Sequence, residues 1–438
     1  KVWMSKTITV SEELFKRRVK QLYKFWNNDD GPMSSVNSFI VLVGNDKDAR
    51  PYSKSNTFQT WLYACEILDC LAVLTKDRII ILASEKKANF FSTVTCDGEG
   101  DFPTVETLLR NKGDKDAENF DKLISIMKDC GGKVGHFPKD KFHNDFCDGW
   151  KKAMDEAAFD KVDVTSSFAH LFSIKDSEEL SLCRNAANVS VNSWSFIRKK
   201  YVELIDKNSK MKQSQLADAL DECMNKVEVQ GSLVKNHNVD NCYASIIQSG
   251  GSYNFKWNTP SSDKPLHFGA ITTSLGARFE NYCSNIGRTL LIQPSKELEE
   301  AYENVLAAEM KLIESLKPGS KVKDAYAAAV KTLNPDLRDK LYKKELGFSS
   351  GVEFREGSIP ITSDCEVIVK AGMVFIVSVG VAPIGKDNPK KDIREAAILI
   401  SDTIIVSQDG PNEILTEKAK SRLKSNVVRF KDDDDDEV

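Results

Sequence analysis

Ser274-Leu275-Gly276-Ala277-Arg278-Phe279-Glu280-Asn281-Tyr282-Cys283-Ser284-Asn285-Ile286-Gly287-Arg288-Thr289 reads as a hairpin in which Ser274 and Asn285 carry neutral side chains. The stretch lies within an extended segment, Ala270 to Leu291, and a second extended segment, Tyr243 to Gln248, precedes it. Upstream, Ser177-Glu178-Glu179-Leu180 starts a long amphipathic helix running toward Leu204, and Ser214 to Val227 forms another. Downstream come helices over Glu297 to Leu316 and Lys323 to Leu333, then strands at Val367 to Val381 and Ala396 to Val406. Two helices followed by strands therefore occur twice, which predicts a duplicated α+β domain.

Before Ser177 the pattern differs. Thr9-Val10-Ser11-Glu12 reads as a capping box ahead of an amphipathic helix with Phe15, Val19, Leu22, Tyr23 and Trp26 on one face. Extended runs at Ser38 to Val43 and Leu71 to Ala83 flank a helical stretch through Phe58 to Leu68, and another helix is expected near Asn119 to Lys128. Gly131-Gly132-Lys133-Val134-Gly135-His136 turns into a short strand. Strands alternating with helices predict an α/β lobe. The expected domains are residues 1–173, residues 174–429 and an acidic tail, residues 430–438.

A chain of 438 residues with 41% apolar side chains is long enough for two cores. The formal charge is -4; taking away the six negatives of Asp432 to Glu437 leaves +2 on the rest. A body this close to neutral argues against strong nucleic-acid binding, whereas the acidic run would attract basic partners through screened electrostatics. The ten cysteines form no CxxC pair, which fits reduced thiols in a reducing compartment. No apolar run approaches the ~18 residues of a membrane span, and the opening Lys1 to Lys6 lacks a signal-peptide core. The expectation is a soluble intracellular protein without membrane contact, and a start without Met suggests a piece of a longer chain.

Three motif-like stretches dissolve on inspection. Gly380-Val381-Ala382-Pro383-Ile384-Gly385-Lys386-Asp387 has Asp387 where a phosphate-binding loop needs Ser or Thr, and a carboxylate there repels phosphate. Gly347-Phe348-Ser349-Ser350-Gly351 matches a nucleophile elbow in spacing only; a charged helical segment precedes it, Val352 to Phe354 reads as a strand after it, and no histidine follows His267. His136, His143 and Cys147 are metal-ligand types at a spacing that fits no standard zinc site. Cys65 and Cys70 read as core residues of one helix.

The opening hairpin resembles that of metallopeptidases of the creatinase and aminopeptidase P type, whose counterpart reads Asp-x-Gly, then Asp ahead of Thr-Arg-Thr. Gly347 to Glu356 resembles that family's Gly-His-x-x-Gly stretch with Phe348 in place of the ligand histidine. Lys370 to Gly380 is similar to Gly-Met-Val-Phe-Thr-Ile-Glu-Pro-Gly with Ser378 for glutamate, and Ile400 to Val406 resembles Ile-Glu-Asp-Thr-Val with Ser401 for the last glutamate. The resemblance implies a creatinase N-terminal-like α/β lobe and a pita-bread lobe built on a curved antiparallel sheet. It also implies that all five ligand positions, Ser274, Asn285, Phe348, Ser378 and Ser401, are altered. Two dications about 3.5 Å apart repel by roughly 19 kcal/mol at an effective dielectric of 20, and side chains without charge cancel none of it. A pseudo-aminopeptidase with no metal or other cofactor is expected.

Tyr52-Ser53-Lys54-Ser55, Trp61-Leu62-Tyr63, Ile247 to Gly251, Leu266 to Thr272, Tyr282 to Asn285 and Gly351 to Gly357 further resemble the N-terminal domain family of the large subunit of the FACT histone chaperone. That resemblance implies a nuclear, chromatin-associated and non-enzymatic module. Core histones and their tails are its implied partners, in nucleosome disassembly and reassembly during transcription, DNA replication and repair. A small HMG-type subunit would be met through regions outside this chain. Glu353 and Arg355, as a polar pair, together with Arg288 are the candidate residues of a peptide or histone groove. The alternatives are a metallo-aminopeptidase of the Xaa-Pro type with atypical ligands, and a docking module for replication or remodelling factors.

Overall fold

Apolar side chains on both sides of its strands force helices onto both faces of the sheet in the first of two units, Lys1–Phe172 and Ser173–Val438. The computed structural model describes residues 10–28, 30–45, 53–98, 100, 102–226, 228–229, 232–233, 239–342, 344–385 and 394–429. The opening Lys1 to Lys6, Tyr52, Lys386, Asp387 and the run Asp432 to Glu437 lie outside them. The first unit runs α1 (Glu12–Asn28), β1 (Ser38–Val43), α2 (Lys54–Tyr63), β2 (Cys70–Thr75), β3 (Arg78–Ala83), α3 (Glu85–Ala88), β4 (Thr104–Leu109), α4 (Ala117–Asp129), β5 (Lys133–His136), α5 (Asp145–Glu156), β6 (Asp160–Asp163) and α6 (Thr165–Ser173).

Its mixed sheet has the order β4-β3-β2-β1-β5-β6. On one face Phe39 of β1 meets Trp26 of α1, Phe58 of α2 and Phe168 of α6 at ring separations of 5.1, 5.8 and 5.3 Å. On the other, Leu71, Val73, Ile80 and Leu82 pack with Phe120, Leu123 and Trp150 of α4 and α5. Several local expectations are corrected. Ser11 caps α1, its hydroxyl accepting from Leu14 N at 3.4 Å, while Thr9 lies outside the described residues. The second helix stops at Tyr63 because Ala64 takes a left-handed φ of 58°, so Cys70 falls in β2 and shares no helix with Cys65. The run Leu71 to Ala83 is two antiparallel strands broken at Lys76 and Asp77.

The second unit runs α7 (Ser177–Asp206), α8 (Gln213–Met224), β7 (Glu228–Val229), β8 (Ser232–Leu233), β9 (Val239–Asn241), β10 (Ile246–Gln248), β11 (Ala270–Leu275), β12 (Ala277–Phe279), β13 (Tyr282–Cys283), β14 (Ile286–Ile292), α9 (Lys296–Ser315), α10 (Val322–Thr332), α11 (Pro335–Asp339), β15 (Gly347–Ser349), β16 (Val374–Val381), β17 (Ile398–Ile405), β18 (Glu413–Ile414) and β19 (Val427–Val428). The long α7 starts where a capping box joins Asp176 to Glu179.

Six strands make the central path of the main sheet, β10-β11-β14-β17-β16-β15, each antiparallel to the next. The pair α7 and α8 covers Ile271, Leu275, Ile286 and Leu290. The pair α9 and α10 covers Phe375, Val377, Val379, Ile398 and Ile400. This is the duplicated pita-bread arrangement, with two helix pairs against one antiparallel sheet. Val352 to Phe354 is a bend after β15 and not the expected strand, and Val367 to Val369 lies outside the strand that begins at Val374. Among the described residues no helix is long and apolar enough to cross a membrane.

Candidate functional site

Strand register brings most of the altered ligand positions into one line. Ser274 of β11 pairs with Gly287 of β14, Gly287 with Ser401 of β17, and Ser401 with Ser378 of β16. Side chains alternate along a strand, and the neighbours Leu275, Ile286, Ile400 and Val377 all point into the helix-covered cores. The row therefore occupies the opposite face, the inner face of the pita-bread cleft. Gly287 belongs there because a Cβ would stand 2.8 Å from Ser401 Cβ.

Asn285, fully buried, joins the row from the turn before β14. Its backbone N donates to Thr403 Oγ1 at 2.8 Å, and that hydroxyl donates to Asn285 O at 3.0 Å. Its amide is engaged by the Ser401 hydroxyl at 2.8 Å and by the Tyr243 hydroxyl, whichever way the amide is turned. Tyr243 also bonds Ser274 Oγ at 2.7 Å. Gly276 makes this reach possible, since a Cβ there would lie 2.9 Å from Tyr243 Cε1. Burial raises the Tyr243 phenol well above its ordinary range, so it stays neutral and serves as a hydrogen-bonding bridge.

Phe348, on β15 opposite Ile376, completes the set of altered positions. It is 1% exposed and packs on Trp257 and Phe354 at 5.7 and 5.3 Å, and Tyr243 packs on the same two rings at 5.3 and 5.0 Å. The four rings fill the cleft. A cavity touching Ser274 and Ser378 has about 20 Å³, and one touching Phe348, Arg355 and Ser378 about 50 Å³. A small-molecule site usually needs about 300 Å³ or more, and the smaller space suits about one water.

The donor set does not fit a dinuclear metal centre. Three hydroxyls, an amide and a phenyl ring carry no charge, and Ser401 Oγ already donates to Val377 O at 2.7 Å. Among the described residues no three His, Cys, Asp or Glu side chains group so as to hold a metal ion. Ser349, of the elbow-like motif, donates to Glu356 at 2.7 Å, and among the described residues no histidine is bonded to it.

The groove candidates require correction. Arg288 is fully buried on the helix side of the sheet, where it donates to Ala419 O at 3.1 Å, Gly287 O at 2.7 Å, Ser401 O at 2.6 Å and Asp402 at 2.6 Å. An even-numbered position on β14 points away from the cleft, so Arg288 anchors strands and lines no groove. Arg355 lines the larger residual space, but its ion pair is with Glu345 at 3.0 Å, and its guanidinium lies 5.2 Å from the Phe348 ring centre. Glu353 is 3% exposed, and its carbonyl accepts from Gly351 N at 3.0 Å. Tyr243, Trp257 and Phe354, which fill the cleft, carry no spacing signal because they come from separate loops.

Residues 10–167 match the family of the FACT complex subunit SPT16 N-terminal lobe domain, and residues 181–408 match metallopeptidase family M24. The N-terminal domain of FACT complex subunit SPT16 from Cicer arietinum (chickpea) superposes with a TM-score of 0.85 at 30% identity, covering 96% of this chain and 100% of that one. The chain belongs to the SPT16 family of FACT complex subunits. FACT complex subunit spt-16 of Caenorhabditis elegans is 47% identical over 98% of this chain, and SPT16 of Dictyostelium discoideum 32% over 96%. This chain spans only 42% and 40% of those two SPT16 relatives. The prolidase from Pyrococcus horikoshii superposes with a TM-score of 0.64 at 19% identity over 91% of this chain and 98% of its own, a likeness of fold.

Proposed function

We propose that this chain is a non-catalytic module of a FACT-type histone chaperone, a peptidase fold that binds core histones and so assists nucleosome disassembly and reassembly in the nucleus. The observation that carries the loss of catalysis is the uncharged row Ser274-Gly287-Ser401-Ser378, sealed by Tyr243 and Phe348. Such a site cannot neutralise two dications or lower the pKa of a bound water. The filled cleft favours histone contacts on the outer surface over insertion of a tail, with exposed residues such as Arg355 at the rim. The acidic run Asp432 to Glu437 adds a salt-dependent attraction for basic tails. Transcription, replication and repair would use the module as part of a larger subunit, whose other regions meet an HMG-type partner.

Calorimetric titration of core histones into the 438-residue chain, with and without Asp432 to Glu437, tests this reading. Retained affinity in the truncated chain supports the folded units as the binder; affinity confined to the run refutes it, and an absence of histone binding leaves docking of replication or remodelling factors as the role. Elemental analysis with an Xaa-Pro dipeptide assay tests the pseudoenzyme reading separately. Stoichiometric metal and chelator-sensitive turnover would overturn it.

A further inference from the structure

The first unit contains a cavity of about 450 Å³, within the range usual for ligand sites and far larger than the residue of the peptidase cleft. Its place in the topology is informative. Strands β1 and β5 run parallel, and β1 continues through α2 to β2 on one side while β5 continues through α5 to β6 on the other. Connections leaving in opposite directions open a crevice at the carboxyl ends of the two strands, where open α/β sheets bind ligands. Here Ile40 and Leu42 of β1 remain only half-buried although β1 is a central strand.

Charge decides the ligand class. At such a switch point a helix N-terminus often holds phosphate, but Asp140 already occupies that of α2, accepting from Lys54 N at 3.1 Å and Ser55 N at 2.7 Å. Its carboxylate repels a phosphate or nucleotide. Leu42, Phe142, Trp150 and Met154 give the cavity an apolar floor, and His143 on its wall faces Asp148 at 3.8 Å. His136 also faces the cavity, has no side-chain hydrogen bond among the described residues, and is kept neutral by burial, which lowers its pKa from 6.5. Around the mouth, Asp155 is taken by Lys161 at 2.7 Å, while Lys141 and Lys151 are exposed and form no ion pair among the described residues.

We propose that this cavity docks an acidic segment of a partner protein, which inserts an aromatic or branched aliphatic side chain against Leu42, Trp150 and Met154 and sets flanking carboxylates on Lys141 and Lys151. His136 supplies a hydrogen bond to the inserted segment's backbone. The apolar floor without the two lysines would suit any hydrophobic group; the lysines select acidic flanks, the opposite of the basic tails proposed for histone binding. The two interactions are therefore separable.

The test uses the 438-residue chain and a synthetic peptide, Asp-Glu-Phe-Leu-Asp-Glu, in calorimetry at low salt. Controls replace Phe-Leu by Ala-Ala, or every acid by Lys. Saturable one-to-one binding is expected, at least tenfold weaker for either control peptide and for the Lys141→Glu/Lys151→Glu variant. Both substituted positions are exposed, so this variant should keep the wild-type melting temperature. Leu42→Trp, which fills the crevice, should weaken binding as much, with folding checked by circular dichroism. The proposal is overturned by absence of saturation at millimolar peptide, by equal binding of the Ala-Ala peptide, or by unchanged affinity in the lysine variant. Binding of free indole-3-acetate without peptide binding would overturn the protein-segment assignment.

Discussion

Lys175 and Glu356 form an ion pair of 2.7 Å inside the second unit, with their side chains 1% and 0% exposed. Lys175 Nζ also donates to Ser173 O at 3.1 Å, and Ser349 Oγ donates to the same carboxylate at 2.7 Å. Gly351 makes the room: a Cβ on it would lie 2.4 Å from Lys175 Cε and 2.5 Å from Glu356 Oε1. Lys175→Met should therefore destabilise the unit by about 3–5 kcal/mol in urea titration, because it strands a buried carboxylate. A Lys175→Met/Glu356→Leu double variant should recover most of that loss.

Gly351→Ala tests the same space from the other side. The methyl must displace a locked ion pair, and overpacking of this kind costs about 1–3 kcal/mol. Differential scanning calorimetry should show a lower melting temperature for the second unit, and an unchanged one would show that the pair yields easily.

Tyr243→Phe removes one hydroxyl from the centre of the closed cleft. Asn285 then loses a partner inside a fully buried site, and an unmet buried amide costs about 1–3 kcal/mol. Phe348→Ala should cost more, about 3–5 kcal/mol, since it empties the middle of the aromatic packing. Neither variant should acquire Xaa-Pro cleavage in a sensitive fluorogenic assay.

Glu309 of α9 offers a pH test. It is fully buried beside Asp402 and Arg288. Burial and then the charge of Asp402 raise its pKa well above 4.5, while Arg288 opposes the rise. A native pKa above the unfolded one means that the folded state holds the extra proton. Its stability contribution is complete below the unfolded value and is lost as pH climbs from there toward the raised native value. Glu309→Gln should flatten the decline of unfolding free energy from pH 4.5 upward, a slope measurable by urea titration across that window. An unchanged slope would assign the decline to other groups.

The helical stripes, the duplicated order of helices and strands, and the neutral residues at the ligand positions could all be read from sequence, because periodicity and residue type carry them. Helix ends were less legible: the helix expected to reach Leu68 stops at Tyr63, since the left-handed turn at Ala64 falls on a residue with no turn signature. Arg288 departs from expectation for a different reason. Its frame residues were identifiable, but the side it faces depends on the register of β14 against β17, a long-range property. The pairing of Arg355 with Glu345 and the meeting of Tyr243, Trp257 and Phe354 are likewise tertiary, set by loops without periodicity.

The line of residues from Ser274 through Gly287 and Ser401 to Ser378 makes a metal centre hard to install stepwise. A single acid at Asn285 or Ser401 would be a lone anion in a dry interior, and a single dication would find one counter-charge where it needs several. Each added acid lacks its counter-charge until the others and the metal are present, so building a metal centre here would take several codon changes together.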